Sequence, residues 1–234
     1  MKHLIIAVLL SAPVLTIGQV VNNMLFENNK TLSDLNGSPI KAQGNAFDMD
    51  GSPFFNDQYC AAVIKVAKGK MYSNLQAKLD LQNNVLYYRV DNGPELEATS
   101  PLEYVQFTGC NTNGVPATFR SGYPAVDKQT DKNYYQVLDT GAVQLLKFVQ
   151  ISYMDQKPYG SGTIIRKFDN SVVYYAYTPG KGMIKLGKGN ELAARIFPEK
   201  QKEVDQFTGS QNLRLRKEED LRRLFAFYNS SLQK

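Results

Sequence analysis

The residues that could carry catalysis are few in this 234-residue chain. His3 is its only histidine, and it lies in a segment that we predict to be removed. A mature chain without histidine has no Ser-His-Asp or Cys-His nucleophilic centre. It has no zinc site built on histidine either, and two cysteines cannot complete a Cys₄ site. Neither a P-loop nor a dinucleotide-binding glycine motif occurs, so no cofactor and no metal are expected.

Carboxylates are the remaining candidates for acid–base chemistry, as in glycoside hydrolysis. Glu95, Glu97 and Glu103 are the acids of the region with the clearest strand pattern. Glu95 and Glu97 would share one face of a strand, because side chains alternate between the two faces. Paired acids on an exposed strand are usually only solvated, so we predict that the protein is not an enzyme. A carboxylate-based glycan hydrolase is kept as a separate hypothesis.

Cys60 and Cys110 are the only cysteines. They could form a disulfide in an oxidising compartment, where closing a loop of about 51 residues would contribute roughly 4 kcal/mol. The alternative is a pair of buried free thiols that pack as small hydrophobic side chains. The sequence leaves both alternatives open.

The N-terminus has the pattern of a secretory signal peptide. Its first three residues form a short positive start, an apolar run covers residues 4–17, and Thr16 and Gly18 put small side chains before a cut at Gln19. About 14 apolar residues are too few to span a bilayer, and we predict no transmembrane segment in the mature chain. We therefore predict a signal peptide over residues 1–18 and a mature protein in the periplasm or outside the cell.

The net charge does not indicate a nucleic-acid partner. The chain has 27 Lys+Arg and 22 Asp+Glu, a formal net charge of +5. Loss of Lys2 with the signal peptide leaves 26 basic residues against 22 acidic ones, or +4. This mild excess favours solubility. We expect no nucleic acid among the partners, and export supports the same expectation.

A run of short strands from Val63 to Phe107 is the part around which the chain is organised. It follows a loop over residues 37–57 that two Gly-Ser-Pro triplets bracket. Apolar and polar residues alternate over residues 75–81, which is typical of a half-buried strand, and Asn92-Gly93 is typical of a tight hairpin turn. Short connections favour antiparallel pairing of sequential strands. The predicted strands are 61–67, 70–81, 85–90, 95–98 and 102–108.

Beyond Thr108 the pattern becomes less regular. Residues 109–132 are rich in Gly, Pro, Asn and Ser, which predicts a long loop or a break between two halves of the sheet. Composition predicts a mobile loop over residues 155–162, and a hairpin turn is predicted at Asp169-Asn170. The predicted strands of this half are 134–138, 142–153, 162–168, 171–177 and 183–186.

The C-terminal tail favours helices. Pro198 suits the first position of a helix that ends near Gly209. A second helix over Lys217–Leu232 would lay one apolar stripe on the sheet, formed by Leu221, Leu224, Phe225, Tyr228 and Leu232. We predict a mainly β fold, an antiparallel meander with a curved sheet or a partly open barrel, covered by one or two C-terminal helices. Residues 19–234 would form a single β-rich domain, with the helices at about residues 190–232.

Tyrosines are abundant on the predicted strands, which indicates binding more than catalysis. Adjacent pairs such as Tyr134-Tyr135 and Tyr174-Tyr175 put one ring on each face of a strand. A curved sheet with one apolar face could enclose a lipid or a peptide. The alternative is that these rings are ordinary packing within the core or between helix and sheet. The candidate ligand-facing aromatic residues are Tyr87, Tyr104, Tyr135 and Tyr175.

Several stretches together resemble those of one family. They are Asp34–Pro39 with Gly51–Asp57, Tyr135–Leu138 before Gly141 with Leu145–Lys147, and Glu219–Leu221 ahead of Tyr228-Asn229. They are similar to a family of uncharacterised secreted proteins of Bacteroidota. The resemblance implies an envelope or secreted location and transfers no catalytic residue. The strand region is also similar in style to the curved sheets of periplasmic lipoprotein carriers, which is a likeness of architecture alone.

These observations predict an exported, non-enzymatic protein of the cell envelope or the secreted space. It would act as a binding or structural module, and its partner would be an envelope component or a hydrophobic ligand. The alternative is a periplasmic carrier that holds a lipid or acylated ligand in the curved sheet.

Overall fold

The structure is a computed structural model. It describes residues 38–39, 47–67, 69–90, 93–110, 115–187 and 195–232. The predicted signal peptide and Asp91-Asn92 of the predicted hairpin turn lie outside these residues. Within them the chain is mainly β, with one sheet that does not close and with helices at its C-terminal end. The predicted fold class is confirmed.

Twelve strands of the described residues form the sheet. Strands β1 to β6 are Ser38–Pro39, Phe47–Asp50, Cys60–Val66, Met71–Asp80, Val85–Arg89 and Leu96–Glu97. Strands β7 to β12 are Leu102–Phe107, Ala117–Arg120, Tyr135–Asp139, Gln144–Gln156, Ile164–Thr178 and Gly182–Lys185. Their order is β1-β6-β5-β4-β3-β7-β8-β9-β10-β11-β12, and β2 pairs with β11.

The first half of the sheet departs from a simple meander at β7. Strands β3, β4 and β5 pair in sequence, as predicted. Strand β7 does not follow β6 but returns to the far side of β3, where Val105 lies opposite Ile64. Pairing with this long central strand buries Leu102, Val105 and Phe107. A place beside the two-residue β6 would leave those apolar side chains exposed, which is why the sequential order fails there.

The predicted hairpin turn at Asp169-Asn170 is wrong. Strand β11 runs unbroken through both residues, which lie opposite Ser152 and Ile151 of β10. Asp-Asn lacks the glycine that lets an Asn-Gly pair adopt the positive φ angles of a tight hairpin turn. Continuous pairing along all 13 residues of β10 keeps this part of β11 extended.

Two four-residue strands were not predicted. Strand β8 lies in the region predicted to be irregular, and β2 lies in the loop bracketed by the Gly-Ser-Pro triplets. Four residues are too few for an alternating pattern to stand out. Strand β2 also pairs in parallel with β11, across more than a hundred residues of sequence, and no local pattern reports such a contact.

Helices occupy the described C-terminal segment, as predicted. A 3₁₀ turn at Pro198–Lys200 leads into α1, Gln201–Ser210, and α2 spans Glu218–Ser231. Leu232 lies past the end of α2 and is exposed. The other members of the predicted apolar stripe are buried: Leu221, Leu224, Phe225 and Tyr228.

Three clusters of buried side chains hold these elements together. The first fills one face of strands β3 to β8, around Ile64 and Tyr88. The second joins α1 and α2 to the sheet, and there Phe197 lies 5.3 Å from the Phe225 ring, centroid to centroid. The third is aromatic and surrounds Tyr135 on strands β9 to β11. The core is therefore divided along the sheet into separate clusters.

Cys60 and Cys110 form a disulfide, with their Cα atoms 5.6 Å apart. Cys60 begins β3 and Cys110 follows β7, so the bridge ties two neighbouring strands at one end. The pairing of β3 with β7 is what brings together two cysteines that are 50 residues apart in sequence.

Replacing both cysteines with serine tests the contribution of this bridge. We expect the free energy of unfolding to fall by about 4 kcal/mol, because the long loop regains its freedom in the unfolded chain. Urea denaturation measures the difference. A reductant should lower the stability of the unaltered protein to that of the double variant. Equal stability of the two proteins without reductant would contradict the expectation.

Asn229 fastens α2 to the turn between β9 and β10. Its Oδ1 accepts a hydrogen bond from the Val143 amide at 3.0 Å, and its Nδ2 donates to the Val143 carbonyl at 3.0 Å and to the Asp139 carboxylate at 2.7 Å. A Cβ on Gly141 would overlap the Asn229 amide. Glycine at this turn therefore makes room for the side chain that satisfies its backbone.

A double-mutant cycle tests this arrangement. Asn229→Ala leaves the Val143 amide and carbonyl buried without a partner, so it should cost about 3 kcal/mol of unfolding free energy. Gly141→Ala should also destabilise the protein, but less when Asn229 is already alanine, because the overlap with the amide is then gone and only the close contact with the Cβ of residue 229, at 2.6 Å, remains. Urea denaturation of the four proteins should give a coupling of at least about 1 kcal/mol. Strict additivity would show that the two residues do not meet.

Candidate functional site

The hairpin of β10 and β11 is longer than the strand that supports it. Strand β9 pairs with β10 only up to Lys147, opposite Gln136, whereas β10 and β11 stay paired as far as Gln156 and Ile165. We call residues 150–156 and 164–170 the arm. The base of the arm rests on the first core cluster through Ile151, and the remaining side chains of its β10 strand are exposed.

Large apolar side chains are exposed on the arm and beside it. Met154 is 64% exposed, Tyr153 is 47% exposed, and Met49 of the adjoining β2 is 56% exposed. Tyr159, in the loop at the tip, is fully exposed. Tyr153 and Met154 lie on opposite faces of the arm, because side chains alternate along a strand. Each face of the arm therefore exposes a large apolar side chain, which is favourable to bury against a partner.

Arg166 organises the exposed end of the arm. Its guanidinium donates hydrogen bonds of 2.7 and 2.8 Å to the Asp155 carboxylate, directly across the two strands, and lies 4.1 Å from the centroid of the Tyr153 ring. These hydrogen bonds lower the pKa of Asp155. The charges of the arm thus neutralise each other, and Tyr153 is held against a cation.

The arm has one covered edge and one open edge. Strand β2 pairs with β11 from Ile164 to Lys167 and covers that side. On the other side, no described strand pairs with β10 beyond Lys147, and no described residue makes a backbone hydrogen bond there. The N–H and C=O groups of such an edge can pair with a further strand.

The structure brings only two of the four candidate ligand-facing tyrosines together. Tyr135 and Tyr175 are buried in the aromatic third cluster, with ring centroids 5.7 Å apart. Tyr87 on β5 and Tyr104 on β7 are half-buried on the other half of the sheet, with two strands between them. The four rings therefore do not line one common surface.

A loop over residues 121–134 closes over the aromatic cluster. The Tyr175 hydroxyl donates a hydrogen bond of 2.8 Å to the Asp127 carboxylate, which also pairs with Lys185 at 3.0 Å. The hydrogen bonds from Lys185 and Tyr175 lower the pKa of Asp127. The Tyr123 hydroxyl lies 2.9 Å from the side-chain oxygen of Gln144 and donates to it. The long loop predicted from composition is thus fixed to the sheet by polar contacts.

Of the three candidate acids, Glu103 lies apart from the other two. Glu97 lies on β6, next to Glu95, whereas Glu103 lies on β7, on the far side of β3. Glu103 accepts ion-pair contacts from Lys65 at 2.9 Å and Arg120 at 3.3 Å. Burial, together with the nearby Glu95, raises the pKa of Tyr59 to about 12. The ion pairs of Glu103 are typical of a solvated sheet face.

Open clefts are present in the described part of the chain. One, of about 510 Å³, lies beside Glu103 and is lined by Ser121, Asp131, Lys132 and Tyr134 among others. Another, of about 160 Å³, lies between β12 and α2. The described residues contain no cluster of three or more metal-ligating side chains. No helix among them is both long and apolar enough to cross a membrane.

Comparison with known proteins gives no relative for this chain: no family model, no curated protein and no solved structure matches it. The resemblance to secreted proteins of Bacteroidota stays a prediction. Function has to be argued from the geometry of the molecule itself.

The arm is the feature that the sequence analysis missed. The sequence predicts a strand that ends at Tyr153 and a loop over residues 155–162. A signal was nevertheless present, because neither Gln144–Gln156 nor Ile164–Thr178 contains Gly or Pro. The short segment between them has Pro158, Gly160 and Gly162. Two long uninterrupted strands around one short turn segment are typical of an extended hairpin.

Tyr135 gives the aromatic cluster a pH dependence. Burial raises its pKa to about 12, above the value of about 10 for an exposed tyrosine. The folded protein therefore holds this proton more tightly than the unfolded chain does. The corresponding stability is fully present below about pH 10 and declines as the pH rises towards about 12.

Tyr135→Phe should reduce this alkaline loss. The Tyr135 hydroxyl is buried and has no hydrogen-bond partner among the described residues, so its removal should change stability little at neutral pH. Urea denaturation at neutral pH and near pH 11 measures both effects. Tyr123→Phe is the comparison. Burial also raises the pKa of Tyr123 to about 12, so this variant should reduce the alkaline loss as well, but it should lose stability at neutral pH because its hydroxyl donates to Gln144. An unchanged alkaline loss in Tyr135→Phe would contradict the assignment.

Proposed function

We propose that the protein is an exported, non-enzymatic binding or structural module of the cell envelope or the secreted space, and that the arm is its contact surface. The proposal depends on one observation. Tyr153 and Met154 are exposed on a regularly paired hairpin that extends past its supporting strand β9. Exposed apolar area of this kind is favourable to bury against a partner, at about 25 cal/mol per Å².

The arm suits binding because it is ordered before any partner arrives. Its two strands are paired as far as Gln156, and Arg166 holds both Asp155 and the Tyr153 ring. A surface that is already ordered loses little conformational entropy on association. Methionine adds an adaptable, polarisable contact, as Met154 and Met49 would here.

Two further observations support the location. The N-terminal sequence has the signal-peptide pattern, and Cys60 and Cys110 form a disulfide, a bond typical of oxidising compartments. Packing of the aromatic residues favours the arm as a contact surface over the alternative of a lipid carrier. The Tyr135 ring already contacts the Tyr175 and Phe148 rings within a packed cluster.

Photo-crosslinking tests the arm as a contact surface. A photoreactive amino acid replaces Met154 in the producing cells, and the control carries the same group at Lys202, which is exposed on α1. We expect adducts of one defined mass from position 154 and none from position 202. A second substitution, Tyr153→Ser, should weaken the adduct about tenfold, since losing one aromatic anchor typically costs about 1–2 kcal/mol.

Two outcomes would contradict the proposal. Equal adducts from both positions would mean that the arm has no special role. Turnover of a glycan by the purified protein, lost in Glu103→Gln and kept in Tyr153→Ser, would make the protein an enzyme instead. Copurification of a lipid, seen by native mass spectrometry, together with unchanged behaviour of the arm variants, would favour the carrier.

A further inference from the structure

We infer that the open edge of β10 pairs with the same edge of a second copy of this chain, antiparallel, to form one continuous sheet across a two-fold axis. The inference rests on the proposed function, because it names the partner of the arm. The edge runs from Val149 to Gln156, past Phe148, which lies beside Tyr135 at the start of β9. Strand β2 covers the opposite edge of the arm along Ile164–Lys167, so β10 provides the side that is left for a partner.

The residues of this edge do nothing to discourage pairing. Natural proteins protect an exposed edge with lysine, proline, a bulge or a very short strand. Val149–Gln156 contains no Lys, Arg, Pro or Gly, and its pairing with β11 has no register shift. Its only charge is Asp155, which Arg166 of the same arm neutralises. The edge is therefore long, regular and without net charge.

The sequence of the edge is compatible with itself. In a two-fold antiparallel pair centred on Ser152, Ile151 of each copy lies opposite Tyr153 of the other. An aromatic ring beside a β-branched side chain is a favourable cross-strand pair. Gln150 then lies opposite Met154, and Asp155 lies opposite Val149, so no like charges face each other. A two-fold axis requires such a self-complementary set.

The position of β9 selects this centre. Moving the centre to Ile151 would place the second copy's strand beside Lys147, where β9 already pairs through Gln136. Moving it to Tyr153 would leave the apolar Val149 unpaired. Centring on Ser152 pairs Val149 to Asp155 of each copy. Two strands of this length exchange about seven backbone hydrogen bonds, within the range of a typical specific interface, about 10 ± 5.

A second copy fits this edge better than an unrelated extended peptide. A peptide would need its own complementary side chains, whereas a second arm brings Tyr153 and Met154 to cover Ile151 and Gln150. Pairing two arms also removes both open edges in one closed, two-fold assembly. Exposed Met154 and Tyr153 would then pack near the axis instead of facing water.

Sedimentation of the mature chain, with its disulfide intact, tests the pairing. We expect a monomer–dimer equilibrium over a roughly hundredfold range of concentration. Ser152→Lys puts two like charges directly opposite each other at the axis and should weaken the dimer at least about tenfold. Ser171→Lys is the matched control, because Ser171 is an exposed serine opposite Gln150 on β11, away from the open edge. It should dimerise like the unaltered protein.

The outcomes separate the inference from the proposed function. A chain that stays monomeric at every concentration overturns the dimer, whether its own residues or another protein cover the edge. Equal weakening by both lysine variants overturns it too, and circular dichroism melting shows that each variant is folded. If the chain is monomeric while Met154 still crosslinks to another protein, the arm remains the contact surface and only its partner changes. If Ser152→Lys leaves the dimer affinity unchanged, the open edge of β10 is not the dimer interface.

Discussion

The pairing of β10 with β11 is the constraint on which the rest of the structure depends. At its base, Leu145 and Ala176 lie opposite each other and face the helices, whereas the next pair, Leu146 and Tyr175, faces the aromatic cluster. A slip of one residue would exchange these two sets between the faces. Both covers of the sheet, the helices and the loop over residues 121–134, therefore require this register. Where both covers end, the same pairing continues and becomes the arm.

Helix α2 is held to the hairpin by polar contacts near both of its ends. At the first turn, Glu218 pairs with Lys147 at 2.9 Å and accepts a hydrogen bond of 3.2 Å from the Tyr174 hydroxyl. Burial opposes ionisation there, but the hydrogen bonds from Lys147 and Arg222 outweigh it and lower the pKa of Glu218. Asn229 makes the matching contact in the last turn. Apolar burial supplies most of the stability between these points, and the polar contacts fix the position of the helix along the sheet.

Local patterns in the sequence predicted much of the fold and little of the site. Alternation located β4 and the apolar stripe located α2, because these signals lie within single elements. The return of β7 to β3 and the parallel pairing of β2 with β11 depend on contacts between distant residues, which no local pattern encodes. The arm was missed for a different reason. Gln150, Ser152 and Asp155 are exposed, so the strand continues without the alternation that reports one buried face. Only the lack of Gly and Pro marks it.

Hydrogen exchange along β10, measured residue by residue on a dilute sample of the mature chain, tests the open edge most directly. If the edge is open, protection alternates over residues 149–156, because only the amides that point towards β11 are bonded. The intervening amides then exchange nearly as fast as those of an unstructured chain. Protection of every amide over residues 149–156 at high dilution would show that the chain covers this edge itself, and it would contradict the account of the arm as an open surface.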